Sequence, residues 1–318
     1  MGDHSRFLIA FIDIILPMIL GMWLRRRGLT PAFIRGFNRV NVVGVTTALS
    51  VLSFWSIHLT PLLLWLPLSI FPICFIPCAW FFLFERRRFS DPRETGSYLI
   101  CMMMGNIGTV SALCGYVLFG EKGFAYVQMI AVPQIIVFVL FAFPAAQYYR
   151  ALWDGGDQKP SFQVKDMLLT WNQLPVAGVA AGMLLSGFDV PRPDEAKWAF
   201  SALIHIGAWM GMISVGYGIN LRRAMAYAGR MTRLVAVRFF LAPVFLWGMT
   251  RLMTDDQEML VSILLAASAP TAVFSVMAAQ LYKVSVDLAE AAFLTSTIAY
   301  LFLIYPALYW YVAHGGTF

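Results

Sequence analysis

The sequence predicts an all-α polytopic membrane protein of ten transmembrane helices, arranged as two inverted repeats of five. Three observations carry this prediction: an apolar composition, ten long apolar runs, and a break at matching places in the two halves. The chain is 60% hydrophobic and 13% charged, whereas soluble domains are roughly 45–50% apolar and about 25% charged. The composition therefore indicates a polytopic membrane protein and not a globular domain with one anchor.

Ten apolar runs are long enough to cross about 30 Å of hydrocarbon. They are residues 7–24, 33–55, 61–84, 97–119, 124–148, 168–188, 198–220, 233–253, 259–281 and 288–312. The first run is predicted to be a retained helix, because its charges follow the apolar stretch instead of preceding it as in a signal peptide.

Positive charge is distributed unevenly among the loops. The odd-numbered loops and their borders hold 18 of the 23 lysines and arginines, and Arg238 is counted among these border charges. Because Lys and Arg concentrate in cytoplasmic loops, both termini are predicted to be periplasmic. The net charge of +6 then requires no nucleic-acid partner. Asn38 and Asn41 are expected near the cytoplasmic interface, where water would satisfy their amides.

The ten runs divide at a short polar linker, residues 151–166, into a first repeat of residues 1–150 and a second of residues 167–318. Five helices are an odd number, so the second repeat must enter the membrane from the opposite side. The two repeats are then related by a pseudo-two-fold axis in the membrane plane. The pairs Gly178/Gly182 and Gly207/Gly211 are predicted to let neighbouring helices pack closely.

The fourth and ninth runs are interrupted near their middles. Gly105-Asn106-Ile107-Gly108-Thr109 breaks the fourth run, and Ser268-Ala269-Pro270-Thr271 breaks the ninth. Backbone at membrane depth can leave the helix only where it is buried in protein or lines a cavity. Two breaks at corresponding positions are the best sequence indication of a transporter's binding site. The predicted substrate-binding residues are Gly105, Asn106, Gly108, Thr109, Gln134, Ser268, Pro270, Thr271 and Ser275.

Asn106 is the leading candidate among these residues. Its amide can donate a hydrogen bond beside the backbone N–H groups that the break frees. The N-terminus of a half-helix carries partial positive charge, which suits a carboxylate. The alternative is that Asn106 makes only an interhelical hydrogen bond.

Asp13 and His205 are the candidates for proton coupling. A carboxylate inside a membrane span is costly and suggests a function, and histidine titrates near neutral pH. Two alternatives stay open: Asp13 could be a hydrated or paired carboxylate near the outer interface, and His205 a hydrogen-bonded packing residue.

The sequence contains no recognisable catalytic or nucleotide-binding motif, so it predicts neither an enzyme nor an ATP-driven pump. Cys74 and Cys78 share a helix face, but no His or carboxylate joins them, so no metal site is expected. No cofactor is predicted. The expected partners are a small organic anion and the lipid bilayer, and a homodimer stays open. Compact loops without a glycosylation acceptor fit a bacterial inner membrane.

The breaks and their surroundings resemble the auxin efflux carrier family, which includes plant PIN-type carriers and bacterial relatives assigned to malonate or other organic acids. The similarity lies in Asn106 to Gly120 of the fourth run, Ser214-Val215-Gly216 of the seventh, and Ala269-Pro270 to Asp287 of the ninth. It implies two inverted repeats with crossing fourth and ninth helices, on the plan of the bile-acid symporters. It also implies an elevator mechanism, with a scaffold of the first, second, sixth and seventh helices.

The chain departs from the plant-type pattern at several positions. Gly105, Leu113 and Ser275 stand where plant-type members have proline, and Gln280 stands in place of a lysine. An auxin-like ligand is therefore not assumed.

The predicted function is secondary active transport of a small carboxylate by alternating access, with H⁺ as a candidate coupling ion. One alternative is sodium-coupled transport of bile-acid-like amphipathic anions, which the scarcity of acidic residues near the breaks disfavours. The other is a membrane receptor that binds its ligand without moving it.

Overall fold

The computed structural model describes residues 3–57, 60–155 and 174–315. This part of the chain is helical throughout, and its only β-type pairing is a single bridge between Gly105 and Thr271. Six helical stretches are long and apolar enough to cross a membrane: Phe7–Arg26, Pro61–Glu85, Ile107–Trp153, Glu195–Gly218, Leu221–Arg251 and Val286–Ala313. Leu174–Gly187 and Gln257–Ala267 are shorter apolar helices. The prediction of an all-helical polytopic membrane protein is confirmed, while the ten-helix inverted repeat stays a prediction.

The α-helices are numbered along the chain. They are α1 Asp3–Arg26, α2 Pro31–Val40, α3 Thr47–Trp55, α4 Trp65–Leu68, α5 Ile70–Trp80, α6 Pro92–Met103, α7 Ala112–Ala131, α8 Gln134–Val137, α9 Phe143–Trp153, α10 Leu174–Gly187, α11 Glu195–Gly218, α12 Leu221–Tyr227, α13 Thr232–Ala236, α14 Ala242–Arg251, α15 Gln257–Ala267, α16 Val273–Leu281, α17 Val286–Ala299 and α18 Tyr305–Ala313.

Short stretches of other helix types join these α-helices. The π-helical turns are Asn41–Thr46, Phe81–Glu85, Ile107–Ser111, Phe138–Ala142, Val237–Leu241 and Tyr300–Ile304, and the 3₁₀ turns are Pro61–Leu64 and Ala228–Met231. Most of the predicted linker, and the start of the sixth predicted span, lie outside the described residues.

Helix α7 contains a chain reversal. Phe119 and Gly120 leave helical geometry, and Gly120 has φ 63°, a conformation that glycine adopts at little cost. In a continuous helix Gly115 and Gly123 would lie about 12 Å apart along the axis. Instead, a Cβ atom on Gly123 would overlap the carbonyl oxygen of Gly115. The stretch Ile107–Trp153 therefore folds back on itself at Gly120, where the fourth predicted span ends.

The helices form two bundles. The first bundle consists of α1, α2, α3, α10 and α11, in which α1 packs along α11 and α3 packs along α10. The second bundle consists of α5 to α9 and α13 to α18, with α6 packed on α9 and α17, and α15 packed on α7 and α14. The first bundle holds the first, second and seventh predicted spans and the described part of the sixth.

Glycines bring the helices of the first bundle into backbone contact. A Cβ atom on Gly216 would overlap the carbonyl oxygen of Met18 on α1. On α10, Cβ atoms on Gly178 and Gly182 would lie 2.7 and 2.6 Å from carbonyl oxygens of α3. Close approach of this kind is how small residues support helix association in membranes. Within the first bundle, α1 and α11, and likewise α3 and α10, are therefore in direct backbone contact.

Polar contacts also link the two bundles. Arg192, in the loop between α10 and α11, forms a 2.7 Å ion pair with Glu121, just after the reversal at Gly120. The Tyr116 hydroxyl donates to Ser201 Oγ at 3.1 Å. Elsewhere the backbone N–H of Asn220 donates to a Glu290 carboxylate oxygen at 2.8 Å.

We predict that Gly216→Ala lowers the thermal stability of the purified protein, because the new methyl group must push α1 away from α11. Overpacking of this kind costs about 1–3 kcal/mol. Gly248→Ala is the matched control: nothing lies within 4 Å of the Cβ position of Gly248 in α14, and alanine favours the helix by up to about 1 kcal/mol. Equal melting temperatures for the two variants would contradict the close packing of α1 on α11.

Candidate functional site

The first break separates α6 from the π-helical turn Ile107–Ser111. Helix α6 ends at Met103, and Met104 is extended (φ −96°, ψ 109°). Asn106 has φ −83° and ψ 55°, so it belongs to neither helix. The second break separates α15, which ends at Ala267, from α16, which begins at Val273. Residues 104–106 and 268–272 are called the paired breaks below.

The paired breaks lie side by side and satisfy each other's backbone groups. The Asn106 N–H donates to the Pro270 carbonyl at 2.7 Å, and the Ala272 N–H donates to the Met104 carbonyl at 2.8 Å. These two bonds form the antiparallel bridge between Gly105 and Thr271. Because buried backbone polar groups need partners, each break supplies what the other has lost from its helix.

Arg238, which belongs to the second bundle, forms hydrogen bonds to both helices that end at the paired breaks. The residue is 1% exposed, and its guanidinium donates to the carbonyls of Cys101 (3.3 Å), Met102 (2.8 Å) and Ala269 (3.0 Å). The sequence interpretation placed Arg238 among the loop-border charges, and this was wrong. The end of α6 leaves carbonyls without helical partners, and these carbonyls are what hold the arginine inside the protein.

A cavity of about 310 Å³ lies between the two bundles. One wall comes from α2, α3, α10, α11 and the turn Asn41–Thr46 of the first bundle. The other comes from the paired breaks together with α7, α8, α16 and the turn Ile107–Ser111. The described residues that line it include no charged side chain.

Five amide side chains line this cavity, and two of them have an unsatisfied polar atom; they are Asn38, Asn41, Asn106, Gln128 and Gln134. Asn106 Nδ2 is buried without a hydrogen-bond partner, and so is Asn41 Oδ1. The Asn41 amide nitrogen donates to the Gly207 carbonyl at 3.2 Å. Gln128 and Gln134 donate to the carbonyls of Gly108 (2.9 Å) and Gly105 (2.8 Å). The glutamines therefore brace the first break, whereas Asn41 and Asn106 keep unused hydrogen-bonding capacity.

Five of the predicted substrate-binding residues line the cavity: Gly105, Asn106, Gly108, Thr109 and Gln134. Ser268, Pro270 and Thr271 lie at the second break and Ser275 lies in the first turn of α16, and none of the four belongs to the described cavity lining.

Polar groups of Ser268, Thr271 and Ser275 form hydrogen bonds within the protein. Ser268 Oγ donates to Leu264 O at 2.5 Å and Ser275 Oγ to Ala272 O at 2.6 Å. The Thr271 N–H donates to Ser296 Oγ at 2.9 Å.

Asp13 and His205 contact each other. Asp13 is buried, its Oδ2 lies 2.5 Å from His205 Nδ1, and its Oδ1 accepts a 2.7 Å hydrogen bond from Trp209 Nε1. The Tyr116 ring meets the His205 ring at 6.0 Å. The pair joins α1 to α11 within the first bundle, and neither residue lines the cavity described here.

Sequence reasoning missed the roles of Arg238, Asn41 and Gln128. Asn41 was assigned to the solvated interface, but it is 7% exposed. Gly207 and Gly211 lie beside it, and Cβ atoms there would meet its amide at 3.6 and 3.5 Å, which are ordinary contacts. The available signal for Arg238 was its position several residues inside the eighth apolar run. Among the described residues no cluster of three or more His, Cys, Asp or Glu side chains could hold a metal ion.

Comparison with known families agrees with the class of protein that the fold indicates. Residues 175–311 match the model of a family described as membrane transport protein. The match lies in the second predicted repeat and includes the second break, Arg238 and His205. No curated protein matches the chain. The second half of this integral membrane protein is thus similar to membrane transport proteins.

We predict different effects for two glycines of the first break. A Cβ atom on Gly105 would lie 2.5 Å from Arg238 Nη2, and the arginine is held by three hydrogen bonds. Gly105→Ala should therefore lower stability by about 1–3 kcal/mol. Gly108→Ala is the control, because its Cβ atom would meet its neighbours at 3.5 Å, an ordinary contact. Thermal unfolding of the purified variants measures the difference, and an unaffected Gly105→Ala protein would contradict the contact with Arg238.

Proposed function

We propose that this protein is a secondary active transporter of a small organic anion. The anion binds in the cavity between the bundles, at Asn106 and at the N-terminal ends of the turn Ile107–Ser111 and of α16. The family match supports transport in general, and the chemistry of the cavity supports an anionic substrate.

The single observation that carries the proposal is the unpartnered amide nitrogen of Asn106. A buried donor without an acceptor costs about 1–3 kcal/mol, so it is expected to have a partner in some functional state. Asn106 lines the cavity and comes directly before the first residue of a helical turn. A carboxylate there would accept both from the amide and from backbone N–H groups that start the turn.

The electrostatics of the cavity favour negative charge. Two helical segments begin at the cavity, at Ile107 and Val273, and each N-terminus carries a partial charge of up to about +0.5. No carboxylate lines the described cavity to oppose them. The same shortage of acidic groups disfavours a sodium-coupled mechanism, because sodium prefers oxygen ligands that include carboxylates.

The arrangement of the bundles supports elevator-type alternating access. The breaks lie in the second bundle, while the first bundle is closed by backbone contacts at its glycines. Sliding the second bundle along the first would carry the anion across the membrane. The Glu121–Arg192 ion pair and the Tyr116–Ser201 hydrogen bond would have to break in that movement.

The proposal includes three further points. The protein is a bacterial organic-acid or malonate-type member of the auxin efflux carrier family, and it lies in the inner membrane with both termini in the periplasm. Its transport is coupled to protons through Asp13 and His205. A hydrogen-bonded carboxylate–imidazole pair inside a membrane protein is a suitable proton site.

The proposed site is tested with Asn106→Ala in proteoliposomes. Counterflow is measured for a panel of labelled acetate, lactate, malonate, succinate and phenylacetate. We expect a loss of about 10- to 100-fold in apparent affinity for the transported acid, because a hydrogen bond to a charged group is worth about 1.5–3 kcal/mol. Gln280→Ala, which removes an exposed amide from α16, should behave as the wild type.

Wild-type counterflow by Asn106→Ala would reject Asn106 as a binding residue. Saturable binding of an acid without counterflow by the wild-type protein would favour a receptor over a transporter.

For proton coupling, we predict that wild-type counterflow depends on pH and that Asp13→Asn is much less sensitive to pH. The substitution leaves His205 without the carboxylate that it contacts at 2.5 Å. Asp255→Asn, which changes an exposed side chain, is the control. An unchanged pH profile in Asp13→Asn would remove Asp13 from the mechanism.

A further inference from the structure

Arg238 has no acidic partner among the described residues. It is the largest fully buried side chain among the described residues, and no described ion pair includes it. A buried cation normally pairs with a carboxylate because its desolvation is costly. This arginine must therefore be compensated by something other than a formal negative charge.

Backbone dipoles provide the compensation. The carbonyls of Cys101 and Met102 belong to the last turn of α6, and the carbonyl of Ala269 follows the end of α15. Helix C-termini carry partial negative charge. The guanidinium thus occupies a cage of three carbonyl oxygens at the C-terminal ends of two half-helices.

The same charge lies close to the proposed anion site. Arg238 Nη2 is near enough to Gly105 that a Cβ atom there would come within 2.5 Å, and Gly105 is the neighbour of Asn106. The guanidinium lies against the C-terminal side of the paired breaks, while the helix N-termini begin on their other side. A buried cation beside the cavity attracts a bound anion, because protein screens charge less than bulk water does.

We propose that Arg238 is the resident cation of the paired breaks, and that it has two effects. It holds the two half-helix C-termini together, and its charge raises the affinity of the adjacent cavity for carboxylates. Arg238 is a positioning residue, because it touches the breaks and not the substrate. The second effect rests on the proposed function, whereas the first does not.

The first effect is tested by chemical rescue. Arg238→Ala removes the guanidinium and leaves a space bounded by the three carbonyls. We expect a lower melting temperature, partly restored by millimolar guanidinium chloride but not by tetramethylammonium chloride, which has the same charge and no N–H donors. Arg222→Ala, which changes an exposed side chain of α12, should be insensitive to both salts. Equal responses of Arg238→Ala to the two cations would overturn the cage.

The second effect is tested with Arg238→Lys and Arg238→Met. The probe is the acid of the panel that most raises the melting temperature of the wild type, compared with its uncharged amide. Arg238→Lys should keep most of the stabilisation by the carboxylate. Arg238→Met should lose about 10-fold or more in carboxylate affinity while its weak response to the amide is unchanged.

The possible outcomes separate the two claims. An Arg238→Met protein that binds the carboxylate as the wild type does would overturn the role of the charge. If no carboxylate stabilises the wild type, the proposed anion function fails, while guanidinium rescue still decides whether Arg238 fills the carbonyl cage.

Discussion

The pairing of two interrupted helices is the constraint on which the rest of this structure depends. A membrane interior offers no water to satisfy backbone groups, so neither break could exist alone at that depth. The Asn106 N–H and the Ala272 N–H find their acceptors on the opposite break. Ser111 extends the link, because its hydroxyl donates to the Leu265 carbonyl at the end of α15 at 2.8 Å. The proposed site is therefore a product of two segments that stabilise one another.

Pairing also organises charge. The helices that end at the breaks direct their carbonyls to Arg238, and the first residues of the segments that begin there, Ile107 and Val273, line the cavity. A cation is thereby placed on the negative helix ends, leaving the positive ends free for an anion. A binding site can in this way favour a carboxylate although its described lining carries no charged side chain. The cost of burying Arg238 is offset by carbonyls that would otherwise lack partners.

In the proposed mechanism, the second bundle carries the site and moves relative to the first bundle. Backbone contacts at Gly178, Gly182 and Gly216 hold the first bundle together, and the Asp13–His205 pair lies within it. The paired breaks and Arg238 move with the second bundle in the proposed mechanism. Proton exchange would then occur in the static part of the molecule, so its effect on transport must pass through contacts between the bundles, such as the ring contact of Tyr116 with His205.

The sequence by itself determined the class of protein and the places where helices stop. Composition and run length depend only on local residues, and so does the effect of Gly105-Asn106 or Pro270 on a helix. Only the tertiary structure decided which distant residues the buried polar side chains contact. Arg238 meets Cys101 across 137 residues, Asp13 meets His205 across 192, and Asn41 meets Gly207 across 166. A sequence pattern reports whether a side chain can be solvated, but only the packed chain decides whether water or a distant carbonyl satisfies it.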